Sequence, residues 1–419
     1  MKRRTLLFKR IGLLLLTLSI GFFSCSGKEK AEQAERSIIT SGPEFKSTSA
    51  EVHLPYLFVS QDKMYISWIE SEQGYHQFYW SSLEEQSLGE KELIAEGENW
   101  FVNWADYPQV NAFKDGSLMA TYLKKSGPGT FSYDIWYAVR QDQGNWTEPK
   151  VLHDDQTQTE HGFVSMSPWK ENMLVTWLDG RYTVSHSSHN HHTHQHQGQM
   201  TLRAALVNNT GEKLNEWLLD DRVCDCCQTA SAITDLGPVV IFRDRSENEI
   251  RDIGFQRWEE DQWSPSQPVY MDLWEIAACP VNGPRISTYK QHLAIAWFTA
   301  AKGQAEVKVI FSEDQGKTMS APVLCDLGNP IGRVAIEMLN EEVAFLVWME
   351  DQRILGRTVS TSGKLGRPLE IAKSSENRSS GFPQLKKTAN KLWLAWTDDS
   401  EEAKLIKTAS INLDELSFP

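Results

Sequence analysis

A short apolar strand ending in an aromatic residue returns seven times along this chain. The copies are "MYISW" ending at Trp68, "LMATY" at Tyr122, "MLVTW" at Trp177, "PVVIF" at Phe242, "LAIAW" at Trp297, "AFLVW" at Trp348 and "LWLAW" at Trp396. Turn signals such as "KDGS" and "TDLG" precede several of them. The ends lie roughly 50 residues apart, a period that holds several strands and marks a closed ring of blades. An uninterrupted apolar run suits a strand covered on both faces, so each copy reads as the inner strand of a blade. The expected fold is therefore all-β, a seven-bladed β-propeller, with a six-bladed ring as the alternative if one copy is misread. The last copy leaves room for about one more strand, so the segment near 36–48 is expected to supply the missing outer strand. Five of the 16 tryptophans end a copy of the repeat, which fits packing between blades better than a platform for sugars.

The residues ahead of the repeats carry a different message. Lys2, Arg3, Arg4, Lys9 and Arg10 precede the apolar run Ile11 to Phe23, which is short for a bilayer span and sits at the extreme N-terminus. Residues 1–24 read as an export signal. Ser24-Cys25 is similar to the end of a bacterial lipobox, with Phe22 where Leu is usual, so Cys25 is the expected lipidation site. Residues 25–50 are polar and read as a flexible tether, leaving 51–419 as the propeller domain. The expected location is the bacterial cell envelope, with the outer membrane favoured and the membrane reached through the Cys25 lipid. Removing the signal moves the net charge from −14 to about −19, which argues against nucleic acid as a partner.

Export changes the reading of the cysteines, because thiols outside the cytosol tend to pair or to bind metal. Without Cys25 there are five: Cys224, Cys226, Cys227, Cys279 and Cys325. In a propeller, loops entering a blade and loops leaving the recurring strand open on one face. The entering loops hold Asp106, His161, the Cys224–Cys227 group, and Cys279 with Asn282, just ahead of Arg285. The exiting loops hold Asp179 with Arg181, and Arg243, Asp244 and Arg245. These residues are the expected neighbours at one mouth, where propellers place their sites. Three arrangements of the cysteines stay open. One is four thiolates on Zn²⁺ or Cu⁺, although Cys-x-Cys-Cys departs from the spacing usual in zinc loops. Another is a vicinal Cys226–Cys227 bridge with Cys224–Cys279. The last is one bridge and two redox thiols. Cys325 reads as a buried free thiol. A histidine-rich tract follows Arg181 and includes His191 and His194. It adds a second place for Zn²⁺, Cu²⁺ or Ni²⁺, or is a solvated loop.

The stretch "FSEDQGKTMSAPV" from Phe311 resembles the Asp-box of sialidase-like propellers, with Ser312, Asp314, Gly316 and Thr318 in place and Met319 for the tryptophan. "RQDQGNWTEP" from Arg140 is a shortened copy that keeps Asp142, Gly144 and Trp146, and "DQWSPSQPV" from Asp261 keeps the tail. The stretches "DDRVCDCCQTA", "FRDRS" and "CPVNGP" look like those of exported bacterial proteins called sialidase-like. The resemblance implies the fold more strongly than the reaction, since the box is a structural turn. Sialidases hold a substrate carboxylate on three arginines and use a Tyr–Glu nucleophile with an Asp acid/base. The first blade here has no arginine, and no Tyr–Glu pair stands out. If the chain is an enzyme, it is a sialidase-like glycoside hydrolase with Arg181, Arg243 and Arg285 on the carboxylate and Asp106 or Asp179 as acid/base, Asp244 lying beside them. The leading expectation is instead an envelope lipoprotein whose loop face binds a glycan, a small anion or a metal beside the cysteine loop. His161, Arg245, Asn282 and Arg285 would be ligand contacts. A scaffold for another envelope protein is the third class.

Overall fold

The computed structural model describes residues 37–141, 144–183, 198–400 and 404–418. Ile38–Pro419 forms one compact unit. Seven small antiparallel sheets follow one another along the chain. The first uses Glu51–Ser60, Lys63–Glu72, Tyr75–Ser82 and Glu92–Gly97. The next five begin at Gln109, His161, Ala230, Arg285 and Pro330. The seventh takes three strands from the C-terminal end, Gln384–Lys387, Lys391–Asp398 and Leu405–Asn412. Its outer strand is Ile39–Ser41, paired antiparallel with Leu405–Asn412. First strands of neighbouring sheets touch in sequence around the ring, and the seventh returns to the first. The chain is a seven-bladed β-propeller.

Two expectations need correction. The recurring apolar strand is the second of each blade, not the innermost. A second strand has a partner on each edge and a blade on each face, so most of its side chains are buried. The first strand faces the axis and is accordingly polar there, with Gln109, Asn111, Ser165, Ser231, Glu337 and Lys386 lining an axial cavity of about 350 Å³. The outer strand expected near 36–48 is present, so the propeller takes in part of the stretch also read as a tether. Ile39–Ser41 is a strand, and Phe45 is buried beside Trp68 at 5.1 Å between ring centroids.

One device repeats at the mouth end of the first strands. Leu54, Phe163 and Arg333 each adopt a positive φ, at 57°, 54° and 52°, where the pairing register slips. A bulge frees a backbone N–H, and each freed N–H finds a side-chain acceptor from the preceding blade. Leu54 donates to Thr397 Oγ1, Phe163 to Asp106 Oδ1 and Arg333 to Asn282 Oδ1. The Asp-box hairpin is built as its residues suggest. Ser312 Oγ accepts from Gly316 N at 2.8 Å, Asp314 accepts from Thr318 N at 2.8 Å, and Gly316 takes φ 86°.

Candidate functional site

The entering loops of the second, fourth and fifth blades are laced together. Gln228 Nε2 donates to Ala105 O at 2.7 Å, and its Oε1 accepts from Gly283 N at 3.0 Å. A Cβ on Gly283 would meet Gln228 O at 2.2 Å, so only glycine lets these loops close. This lacing puts Cys279 beside the Cys224–Cys227 loop.

Asp225 and Cys226 form the centre of a tight turn, which folds Cys224 onto Cys227. Their sulfurs lie 3.1 Å apart, and Cys224 Sγ is 4.0 Å from Cys226 Sγ. Ligand atoms of Cys224, Cys226 and Cys227 all fall within 4.8 Å of one another. The Cys279 thiol is near enough to Cys226 for the two to influence each other's titration. Cys224 and Cys227 thus lie close together and Cys226 is within 4.8 Å of both, so the vicinal Cys226–Cys227 pair expected from the sequence is near as well. Cys-x-Cys-Cys contains the two-residue gap after all, between Cys224 and Cys227, and that gap closes across a turn. Burial falls off in order: Cys224 and Cys227 are 0% and 1% exposed, Cys226 is half-buried and Cys279 is exposed.

Arg251 Nη1 donates to Cys224 Sγ at 3.2 Å, and Arg251 Nη2 donates to Glu249 at 2.8 Å. Hydrogen bonds from Cys226 and Cys227, with the Arg243 charge, hold the Cys224 thiol well below its usual value. Cys279 is lowered by Cys226. Cys226 is raised by its three thiol neighbours, Cys224 first, and Cys227 is raised by burial and then by Cys224. Arg251 and Arg243 thus place positive charge beside the Cys224 sulfur. Cys325 lies elsewhere, buried, with burial pushing its thiol up to about 12.

A pocket of about 340 Å³ opens beside the sulfurs and is lined by Phe131, Glu160, Thr183, Gly198, Asp225 and Arg245. Arg245 bridges Asp225 at 3.2 Å and Glu249 at 2.7 Å. Behind the pocket, Tyr133 Oη donates to Glu160 at 2.7 Å and lies 3.3 Å from Asp106. Burial pushes Glu160 up to about 7 and Asp106 up to about 8. A Cβ on Gly162 would meet Asp106 Oδ2 at 2.0 Å, so the glycine makes room for this carboxyl. Tyr133 is 0% exposed and lies under Phe101 with centroids 3.9 Å apart.

Asp179 and His161 face each other at the start of the third blade, within a second buried cluster. His153 and His161 stack at 3.6 Å between centroids, 7° from parallel. One carboxylate, Asp155, meets both rings, at 2.5 Å from His153 Nδ1 and 3.3 Å from His161 Nε2. Asp134 lies 3.5 Å from His153 Nε2. Arg181 grips Asp179 with two bonds, at 2.7 and 2.8 Å, and Trp177 adds a third at 2.9 Å. Burial opposes charge on His161, yet Asp155 and Asp179 keep its pKa raised. Asp134, His153 and His161, and likewise Asp155, His161 and Asp179, bring ligand atoms within 4.8 Å. The stacking speaks against an ion held by both His153 and His161. A metal lies in the plane of each imidazole it binds, and two rings face to face cannot both point at one ion.

The remaining candidates are held by the fold. Arg243 is 2% exposed and donates to the carbonyls of Asn282, Arg251 and Phe298, while stacking on Trp274. It offers nothing to a substrate carboxylate. Asn282 caps the Arg333 bulge, Asp106 caps the Phe163 bulge, and Asp244 Oδ1 accepts from Arg245 N. Arg181 is committed to Asp179 and Glu216. Arg285 alone reaches across the axis, with Nη2 2.8 Å from Tyr107 Oη. Arg251, Glu160, Asp225, Tyr133, His153 and Asp155 were not singled out from sequence. Arg251 and Glu160 stand inside "FRDRSENEIRD" and beside His161, so proximity to named candidates was the available signal. His191, His194, Cys25 and Asp142 lie outside the described residues.

No protein-family profile and no curated protein matches the chain. Solved structures do match in fold. A protein of unknown function from Dyadobacter fermentans aligns over 89% of this chain and 98% of its own, at 9% identity and a TM-score of 0.49. A mutant of the NanB sialidase from Streptococcus pneumoniae covers 84% of each chain, at 8% identity and 0.48. The Hadza microbial sialidase Hz136 covers 84% of this chain and 78% of its own, at 11% identity and 0.48. The likeness is one of β-propeller architecture.

Proposed function

We propose that this chain is an exported, Cys25-anchored propeller that holds one thiophilic d¹⁰ ion, Zn²⁺ or Cu⁺, on Cys224, Cys226, Cys227 and Cys279. The observation that carries the reading is the three sulfurs of Cys224, Cys226 and Cys227 within 4.8 Å of one another, with Cys279 on the neighbouring entering loop as the proposed fourth ligand. Soft thiolates select such ions, and four ligands match tetrahedral zinc. The Arg251 bond to Cys224 Sγ is the kind of outer contact that orients a ligating thiolate and offsets its charge. The adjacent pocket with Glu160 and Asp225 gives a small ligand room beside the ion.

Elemental analysis of protein purified without nickel resin tests this. About one equivalent of Zn or Cu is expected, retained when the tract histidines His186, His189, His191, His192, His194 and His196 become serine. It should be lost in Cys226→Ala. Less than half an equivalent in reduced wild type, or retention in Cys226→Ala, overturns the reading. A second reading, a sialidase-like hydrolase, draws on the Tyr133–Glu160 hydrogen bond. It is the weaker one, because Tyr133 is sealed from solvent and Arg243 is committed to carbonyls. Turnover of a fluorogenic sialoside that is lost in Glu160→Gln would revive it.

A further inference from the structure

We infer that the axial cavity is a binding site for a small oxyanion, the carboxylate of a compact organic acid or a phosphate, held between Arg285 and Lys386. The inference goes beyond the ion reading and does not depend on it. It begins in strand alternation. Along Gln384–Lys387, the first strand of the seventh blade, Leu385 is buried in the core against the sixth blade, so Gln384 and Lys386 turn to the axis. The Lys386 side chain is 41% exposed although it stands on an innermost strand, because what it meets is the cavity. Glu337 comes from the first strand of the sixth blade, and Arg285 opens the first strand of the fifth. Tyr56 of the first blade and Tyr107 of the loop entering the second also line the cavity, with ring centroids 6.1 Å apart.

The charges around this space do not balance. Arg285, Lys386 and Lys387 border it, and Glu337 is the one acid among the described residues that does, in a chain of net charge −14. Lys387 turns its ammonium to carbonyls, Met338 O at 3.0 Å and Leu339 O at 2.7 Å, so the count rests on the other three. Glu337 is shared. One of its oxygens accepts from Ser287 Oγ at 2.9 Å, and the other lies 3.4 Å from Lys386 Nζ, longer than a charge-assisted bond. Arg285 donates to Pro284 O at 2.9 Å and to Tyr107 Oη at 2.8 Å, and has no carboxylate partner among the described residues. One positive charge is therefore left over between Arg285 and Lys386, inside the ring, where a charge is costly until it is paired. Tyr107 Oη accepts from Arg285 and keeps its own proton to donate. A guanidinium fork, an ammonium and a phenol O–H are donors suited to the oxygens of a carboxylate or phosphate. A volume of about 350 Å³ is at the small end of ligand sites, so the guest is compact.

The test is isothermal titration calorimetry of the full chain at fixed ionic strength, with succinate in one arm and inorganic phosphate in the other. At least one anion should bind with a Kd below about 10 mM, and the tighter of the two separates a carboxylate guest from a phosphoryl one. Lys386→Met keeps the apolar stem and drops the ammonium, and should weaken binding at least about tenfold. Glu337→Gln keeps an acceptor for Ser287 Oγ and removes the competing charge, and should tighten binding by about threefold. Opposite signs in the two variants are the signature, since loss of a merely structural Lys386–Glu337 pair would move both the same way. Wild type that binds neither anion below about 10 mM overturns the inference. So does unchanged affinity in Lys386→Met, or weaker binding in Glu337→Gln.

Discussion

Two buried titratable clusters share the mouth of this propeller, and they differ in whether their charges are answered. In the His153–His161 cluster every charge has a fixed counterpart. Asp155 spans both rings, and Arg181 holds Asp179 through a paired bond. In the sulfur cluster the groups answer mainly one another, one of them is exposed, and an open pocket adjoins. A closed network of this kind rigidifies the loop ends, while an open set of donors is available to an outside atom. Nearness of ligand-type residues is equal in the two clusters, so nearness alone does not mark a site.

The largest effect expected from this contrast is on stability. Asp179→Ala takes one carboxylate from buried Arg181 and His161, which keep Glu216 and Asp155, and should cost about 1–3 kcal/mol. Denaturant unfolding should show that loss, with the ion stoichiometry of the remaining folded protein unchanged. Cys226→Ala should do the reverse, costing about 1 kcal/mol or less while abolishing ion binding. If Asp179→Ala unfolds no more easily than wild type, the histidine cluster is not the closed network described. If it also loses the ion, the two clusters are one site.

That contrast explains what could be read in advance. The ring of seven blades was legible because the recurring strand is covered on all sides, and burial on all sides writes itself as an unbroken apolar run. The order of strands was misread for the same reason. The innermost strand faces a polar channel, so its residues, Gln109 and Asn111 among them, look like surface. The common face of Asp106, His161, Asp179 and the cysteines followed from loop topology. Their roles did not. Asp106 and Asn282 serve bulges in the next blade, 57 and 51 residues further along, and such a cap leaves no local pattern. The histidine partners His153 and Asp155 sit in an ordinary loop, and only folding stacks them on His161.

A smaller effect separates the carboxyls behind the pocket from the rest. Burial holds Glu160 at about 7 and Asp106 at about 8, both above their unfolded values. A raised carboxyl binds its proton more tightly when folded. Its stabilising contribution is complete below the unfolded pKa and is lost as pH rises through the folded one. The melting temperature should therefore decline between about pH 5 and pH 8, by several degrees. Asp106→Asn keeps an acceptor for Phe163 N and should flatten that decline. Asp155 and Asp179, both lowered, contribute in the opposite sense, and their loss belongs to the acid side. A decline of unchanged slope in Asp106→Asn would assign it elsewhere.

The smallest expected effect tests the far side of the comparison, the Asp-box. Asp314 accepts from Thr318 N at 2.8 Å and from Thr318 Oγ1 at 2.7 Å, and Ser312 Oγ donates to it at 2.8 Å. All of these partners lie within one exposed hairpin between the third and fourth strands of the fifth blade. Asp314→Ala frees a backbone donor to water rather than burying it, so it should cost about 1 kcal/mol. It should leave ion content unchanged, because no bond in the hairpin reaches the mouth. A change would mean that the blades transmit strain along their length, and the cysteine cluster would then owe its geometry to the whole ring rather than to the turn at Asp225 and the lacing through Gln228.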